Sequence, residues 1–242
     1  MSGTVLKEWA PDLWTADGQA DVEIPKFLRK CDFSTRMTVI RLRDGGLLLH
    51  SPIRLGADLR RELDALGPVR AIVAPNRFHH LFAGECQDAY PDARLYGALG
   101  LPEKRKDLRF AGMLGDDPRP EWRGDIEQRV VRGAPMLNEV VFFHPASRTL
   151  ILTDLAFNVS KGKTWGIPIV FWFMGAAGRF GPHRVVRWLI RDQQAARESL
   201  GQIMKWDFDR VIVAHGDVLE TGGKEKLRQA YAFILGAASR SR

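Results

Sequence analysis

The first half of the chain alternates between short apolar runs typical of strands and apolar residues at helical spacing. Turn and helix-breaking residues separate these segments, and Gly67-Pro68 ends the first helical pattern. The pattern predicts strands at 38–43, 47–50, 69–74 and 94–97, a hairpin joining the first two, a helix at 57–66, and a second helix carrying Cys86 to Tyr90 after a loop.

The second half begins with an antiparallel hairpin, predicted from two apolar runs at 139–144 and 149–154 that flank a turn. A strand at 210–214 ends in a polar loop, and helical spacing covers 185–204 and 224–235. Two groups of strands with crossover helices predict an α/β fold, a four-layer αββα sandwich in which two sheets lie between helical layers.

Composition supports a folded chain, since 45% of the 242 residues are hydrophobic and 27% are charged. No linker-like tract divides the sequence, so we expect a single domain over 1–242, with an aromatic-rich insertion around 158–184. That insertion includes Trp165 and Trp172. It is expected to pack against the domain or a second subunit in a homodimer, with a substrate lid or a membrane-surface patch as alternatives.

Localisation and partners follow from weaker signals. Two cysteines are too few for a disulfide framework, and the first residues lack the apolar stretch of a signal peptide, so a cytoplasmic protein is expected. The longest apolar run, 167–177, is shorter than the roughly 20 residues of a transmembrane helix. The net charge of +7 comes from basic residues spread along the chain, which disfavours nucleic acid as a partner.

Four residues that can bind metal lie at or after the ends of predicted strands: His79, His80, Asp154 and His215. Loops at strand ends are where a rigid sheet usually assembles a site. Imidazoles with a carboxylate suit zinc, iron or manganese. A single residue of this kind more often has a packing or capping role, and it is the set of four at converging strand ends that indicates a metal site.

The order of these motifs resembles the metallo-β-lactamase superfamily from about Thr38 to Leu235. The matching segments are the His79-His80 loop, the hairpin ending at Asp154, and Ala214-His215-Gly216. The run from Asn76 to Phe82 is similar to a branch called a domain of unknown function (DUF4336). The resemblance therefore implies the αββα fold and a metal site at the strand ends.

The resemblance also implies that one of two metal sites is lost, because its three histidine positions fall on Pro75, Arg77 and the neighbourhood of Pro135. Proline offers no side-chain donor, and arginine stays cationic. The second site is retained as His79, His80, Asp154 and His215. Arg77 is expected to replace the missing cation or to hold an anionic group.

Two functions stay open at this point. The first is a mononuclear metal-dependent hydrolase of unknown small-molecule substrate, with one zinc, iron or manganese ion and with His79, Asp154 and Arg77 as catalytic residues. Four protein ligands, however, leave little room for water. The alternative is a non-catalytic pseudoenzyme, with or without metal, that binds a ligand or partner on the same scaffold. A nuclease is disfavoured, because nucleases usually need two metals.

Overall fold

The computed structural model describes residues 6–19, 34–159 and 179–236, and the strands in these ranges form two sheets. The seven-stranded sheet has the order β1 (Lys7–Ala10), β2 (Leu13–Gln19), β3 (Ser34–Arg41), β4 (Leu47–His50), β5 (Val69–Ala74), β6 (Arg94–Gly97) and β7 (Phe110–Met113). The four-stranded sheet has the order β11 (Arg210–Val213), β10 (Thr149–Leu152), β9 (Val140–His144) and β8 (Glu127–Val130).

The helices follow the strands as crossovers and as covers. They are α1 (Ala57–Leu66), α2 (Ala83–Ala89), α3 (Leu101–Lys104), α4 (Arg184–Leu189), α5 (Gln193–Ile203), α6 (Gly223–Ala230) and α7 (Ala232–Leu235). Short 3-10 turns lie at Pro120–Trp122 and Pro145–Ser147. Within the described ranges, no helix has the length and apolar character needed to cross a membrane.

The inner faces of the two sheets form the central layer of the core. Leu48 of β4 and Val73 of β5 pack there with Phe142 of β9 and Ile151 of β10. Because side chains alternate across a strand, Leu47 and Leu49 point to the opposite face of the first sheet. One strand therefore contributes to two layers.

Helices cover the outer faces of both sheets. Leu59 and Leu63 of α1 pack on the first sheet, on the face that carries Leu47 and Leu49. On the second sheet, the covering residues come from α5, α6 and α7 and include Leu200, Leu227 and Ile234. The layers run helix, sheet, sheet, helix, which confirms the predicted αββα sandwich.

Parts of the sequence prediction were incomplete or wrong. Strands β1, β2, β7 and β8 were not predicted. The single helix expected over 185–204 is two helices, because the backbone N–H groups of Arg191 and Asp192 donate to the carbonyl of Gly133, and Asp192 then caps α5 through the N–H of Ala195. The helix expected over 224–235 is also broken, at Tyr231 between α6 and α7.

Three loops meet where strands end at the same edge of the sandwich. They follow β5, β10 and β11, and they carry His79, Asp154 and His215. β5 lies between parallel neighbours in the first sheet, and β10 pairs in parallel with β11 in the second. The insertion predicted around 158–184 and its proposed dimer contact fall mostly on residues 160–178, outside the described ranges.

Candidate metal centre

Three ligand-bearing side chains converge at this edge. His79, Asp154 and His215 each offer one ligand atom within 4.8 Å of the others, and they are the one such group of histidine, cysteine and acidic residues in the described ranges. The two Nε2 atoms lie 3.1 Å apart. Asp154 Oδ2 is 3.4 Å from Nε2 of His79, and Asp154 Oδ1 is 3.4 Å from Nε2 of His215.

The outer nitrogens of both imidazoles have partners that orient the rings. Nδ1 of His215 lies 2.8 Å from the carbonyl oxygen of Ser34, which only accepts hydrogen bonds, so Nδ1 carries the proton. In the neutral ring this leaves the lone pair on Nε2, facing the other two side chains. Nδ1 of His79 lies 2.7 Å from the Ser51 hydroxyl. Partners of this kind fix metal-binding histidines in known sites.

Asn76 joins the loop of His79 to the loop of Asp154. Its Oδ1 accepts from the backbone N–H groups of Phe78 and His79, both at 2.8 Å, which folds the residues after β5 into a tight turn. Its Nδ2 donates to Asp154 Oδ2 at 2.7 Å and to Thr153 Oγ1 at 2.9 Å. Because Asn76 is fully buried, these contacts are not exchanged for water.

Glu139 holds the turn that carries Asp154 by accepting hydrogen bonds from its backbone. Its carboxylate accepts from the backbone N–H groups of Thr153, Asp154 and Leu155 at 2.7, 2.8 and 3.1 Å. It also accepts from Asn76 Nδ2 at 3.2 Å. A buried carboxylate with four donors is a fixed support, so the position of Asp154 is set by the residue directly before β9.

Electrostatics favours an ionised Asp154. Burial raises the pKa of its carboxyl group, but the neighbouring imidazoles of His79 and His215 outweigh burial and hold the pKa well below its usual value. Burial, together with the negative charge of Asp154, raises the pKa of Glu139 to about 7. The two acids therefore differ in pKa, and Asp154 is the one whose ionised carboxylate faces the histidines.

The loop of His215 is locked by a close backbone crossing. Gly216 has φ +100, and a Cβ atom there would lie 2.2 Å from the carbonyl oxygen of Asn158. Asn158 N–H donates to the carbonyl of His215, and Asp217 N–H donates to the carbonyl of Asn158. The Phe157 ring stacks on the His215 ring at 5.1 Å between centroids. Glycine is needed at position 216, because any side chain there would push the two backbone segments apart.

His80 is directed away from the convergent group. Its Nδ1 accepts a hydrogen bond of 2.8 Å from Arg105 Nη1, and its backbone carbonyl accepts a second from the same guanidinium. Burial and the nearby charges of Lys104 and Arg105 lower its pKa to about 4, so the ring is neutral at pH 7. The structure therefore brings together three of the four expected ligands.

The residues expected at the other metal position also meet. Arg77 Nη1 lies 3.4 Å from the carbonyl oxygen of Pro135, and Arg77 N–H donates to the carbonyl of Leu137. The Pro75 carbonyl accepts from Val140 N–H. Backbone groups and a guanidinium occupy this region, and Arg77 itself is half-buried.

Sequence reasoning missed Asn76, Glu139 and Ser51 as members of the site. A signal exists for the first two, because each is a polar residue within two positions of an apolar strand run. Ser51 follows β4 with φ +57, a left-handed conformation that is unusual for serine. No sequence pattern predicts this conformation.

The distances suit a shared ion. Nitrogen and oxygen ligands about 2.0–2.1 Å from one zinc ion, at tetrahedral angles, lie about 3.3 Å from each other. The two Nε2 atoms are 3.1 Å apart, and each lies 3.4 Å from one oxygen of Asp154, Oδ2 for His79 and Oδ1 for His215. With one ligand atom from each residue, the three atoms lie within 4.8 Å of one another. Two neutral imidazoles and an ionised carboxylate also have the donor chemistry that zinc, iron and manganese accept.

Comparison with protein families gives a direct match. The profile of the family described as "Domain of unknown function (DUF4336)" matches residues 13–167. The chain belongs to the DUF4336 family. A search of the curated proteins finds no match to this DUF4336 chain.

Solved structures show what the fold of this DUF4336 chain is similar to. A metallo-β-lactamase from Hirschia baltica has a TM-score of 0.63 at 14% identity, covering 97% of this chain and 98% of its own. One from Pontibacter korlensis has 0.61 at 11%, covering 93% and 96%. FIM-1 from Pseudomonas aeruginosa, in its mono-zinc form, has 0.60 at 9%, covering 97% and 94%. The fold is metallo-β-lactamase-like.

Proposed function

We propose that the protein is a metal-dependent hydrolase that uses one divalent ion, zinc or else iron or manganese, held by His79, Asp154 and His215. The observation that supports it is the convergence of two Nε2 atoms and one carboxylate. The contact of His215 Nδ1 with a carbonyl oxygen, which leaves the Nε2 lone pair free for an ion, adds to this support. Two imidazoles and one carboxylate form a set used in catalytic zinc sites.

The number of ligands favours catalysis over a structural role. Structural zinc sites are closed by four protein ligands, whereas catalytic sites have three and keep one position for water or substrate. The position of His80 against Arg105 supports a three-ligand site. A three-residue site leaves the position for water that a four-residue set would fill.

The side chains around the candidate ion have distinct roles in this proposal. A divalent ion supplies Lewis-acid chemistry, polarising a substrate carbonyl and acidifying water. Asp154 is ionised, so its carboxylate balances the ion's charge and provides an oxygen that accepts a proton from the attacking water. Asn76 and Glu139 position Asp154, and Arg77 orients an anionic or carbonyl group of the substrate.

A non-catalytic scaffold is the second candidate, and one observation favours it. Where the resemblance to the metallo-β-lactamases implies a first metal, the structure has Arg77 against the Pro135 carbonyl. A fixed cation there supports loss of that metal. A protein with one site left could use it to bind a ligand without turning it over.

A substrate screen under metal control separates the two candidates. The protein is loaded with zinc, iron(II) or manganese and assayed against chromogenic esters, thioesters, lactams and phosphodiesters. We expect hydrolysis of one class that a chelator abolishes and the metal restores, that Asp154→Asn loses, and that His144→Gln retains as a buried histidine outside the site. One bound ion without turnover of any class would support the scaffold instead.

A further inference from the structure

Exposed apolar side chains gather beside the candidate metal centre. Of the six large hydrophobic residues that are well exposed in the described ranges, four lie on loops next to it: Phe78 at 46%, Leu81 at 47%, Leu99 at 63% and Met136 at 44%. Single exposed apolar residues are ordinary, but a gathered patch usually marks a binding surface.

Hydrogen bonds tie the loops that carry these residues into one surface. Asn138 Nδ2 donates to the carbonyl of Leu99 at 3.0 Å, which joins the loop after β6 to the loop before β9. Arg77 N–H donates to Leu137 O, and Lys104 Nζ donates to Arg77 O. We call Phe78, Leu81, Leu99 and Met136, with Arg77 and Lys104, the amphipathic rim.

The two cations of the amphipathic rim lack acidic partners in the described ranges, where neither forms a salt bridge. Lys104 Nζ lies 5.5 Å from the centre of the Phe78 ring. Partial burial and then the charges of Arg77 and Arg105 lower the pKa of Lys104, with no carboxylate contributing. Uncompensated positive charge next to exposed apolar surface calls for an anion with an apolar part.

The amphipathic rim also reaches the candidate ligands directly. Phe78 precedes His79 in the chain, so their Cα atoms are about 3.8 Å apart, and Asn76 Oδ1 holds both of their N–H groups. A molecule lying on Phe78 with its charge at Arg77 or Lys104 therefore lies on the same turn that carries His79.

We propose that the amphipathic rim binds an amphipathic anion, a single small molecule with one negative group and an apolar chain or ring, as the substrate class of the hydrolase. The substrate role rests on the proposed function, whereas binding itself needs only the rim. Neutral and cationic molecules of the same apolar size should bind less well, because they leave Arg77 and Lys104 without a counter-charge.

The test measures binding of decanoate to the full-length protein by calorimetry, below the micelle concentration. Decanol, decylammonium and acetate are the comparison ligands. We expect saturable decanoate binding at least about tenfold tighter than binding of each comparison ligand. His215→Ala should bind decanoate as the wild type does, which separates a failed rim from a failed metal site.

Paired variants locate the binding. Arg77→Gln with Lys104→Gln should weaken decanoate about tenfold while leaving decanol unchanged. Phe78→Ser with Leu99→Ser should weaken decanoate and decanol alike. The matched controls are Lys226→Gln, an exposed cation of α6, and Val185→Ser, an exposed apolar residue of α4; both should bind as the wild type.

Three results would overturn the proposal. One is equal binding of decylammonium and decanoate, and another is decanoate binding that the rim variants do not change. The third is association with phosphatidylglycerol vesicles without binding of monomeric decanoate, which would assign the rim to a membrane surface instead.

Discussion

Asn76 Nδ2 lies 2.7 Å from Asp154 Oδ2, although 77 residues separate the two in the chain. The same Asn76 side chain accepts hydrogen bonds from the backbone on the other side of the site, at Phe78 and His79. One buried amide thus sets the distance between a loop of the first sheet and a loop of the second.

Replacing this amide tests its role in both folding and metal binding. Asn76→Ala leaves two backbone N–H groups without their acceptor and removes one donor from Asp154 and one from Glu139, so we expect the free energy of unfolding to fall by about 3 kcal/mol. Metal affinity should fall roughly 10- to 100-fold, the usual effect of losing a residue that orients a ligand. Urea unfolding and metal titration measure the two effects.

Gln229→Ala is the matched control, because Gln229 makes one exposed hydrogen bond to Glu225 on α6. It should change the free energy of unfolding by no more than about 0.5 kcal/mol and leave metal affinity unchanged. If Asn76→Ala behaved in the same way, Asn76 would not be the link between the two loops.

Gly216 gives a second prediction. Gly216→Ala places a Cβ atom where the Asn158 carbonyl now lies, at a φ that side chains disfavour, so we expect a loss of about 2 kcal/mol or more in stability, with weaker metal binding. Gly201→Ala, in the open interior of α5, should instead stabilise the protein by about 0.5–1 kcal/mol. Equal effects in thermal unfolding would show that the crossing at Gly216 is not tight.

His50 predicts how stability depends on pH. Burial, followed by the charge of His79, lowers its pKa from 6.5 to about 3. Below pH 6.5 the unfolded chain takes up a proton at His50 that the folded chain refuses, so stability is lost as the pH falls. Between pH 7 and 5 this amounts to about 2 kcal/mol. Measured by urea unfolding, the His50→Leu variant should lose about 2 kcal/mol less stability than the wild type between pH 7 and 5.

Phe142→Leu serves as the control, because the Phe142 ring packs against the edge of the His50 imidazole. It alters the same packing but keeps the titrating group, so its loss of stability from pH 7 to 5 should match that of the wild type. A wild-type pH dependence in His50→Leu would mean that His50 does not contribute it.

Local patterns predicted the central elements well. Helix α1 lies where the apolar spacing places it, because its buried face, Leu59 and Leu63, follows the helical period. Strands β4, β5 and β6 match short apolar runs, because they are buried along almost their whole length. Strand β1 gives no such signal, since its residues are exposed or half-buried at the sheet edge. The helix break before α5 is also invisible locally, because the Gly133 carbonyl that accepts its N–H groups lies far along the chain.

The candidate site shows the same division. The rule that sites form at strand ends selected His79, Asp154 and His215, because strands fix where their loops begin. The rule did not distinguish His79 from His80, because adjacent residues share the position after β5. The hydrogen bond from Arg105, which lies 25 residues later in the chain, turns the His80 imidazole away from the site. The support from Glu139 likewise depends on a turn that only the folded chain brings into contact.

Metal content of the wild type and of three histidine variants tests the central claim most directly. Elemental analysis after purification and dialysis should give about one equivalent of zinc, iron or manganese for the wild type and for His80→Ala, with almost none for His79→Ala and His215→Ala. Circular dichroism should show all four folded. A folded wild type without metal, or a His80→Ala variant that loses its metal as His215→Ala does, would contradict a three-residue centre of His79, Asp154 and His215.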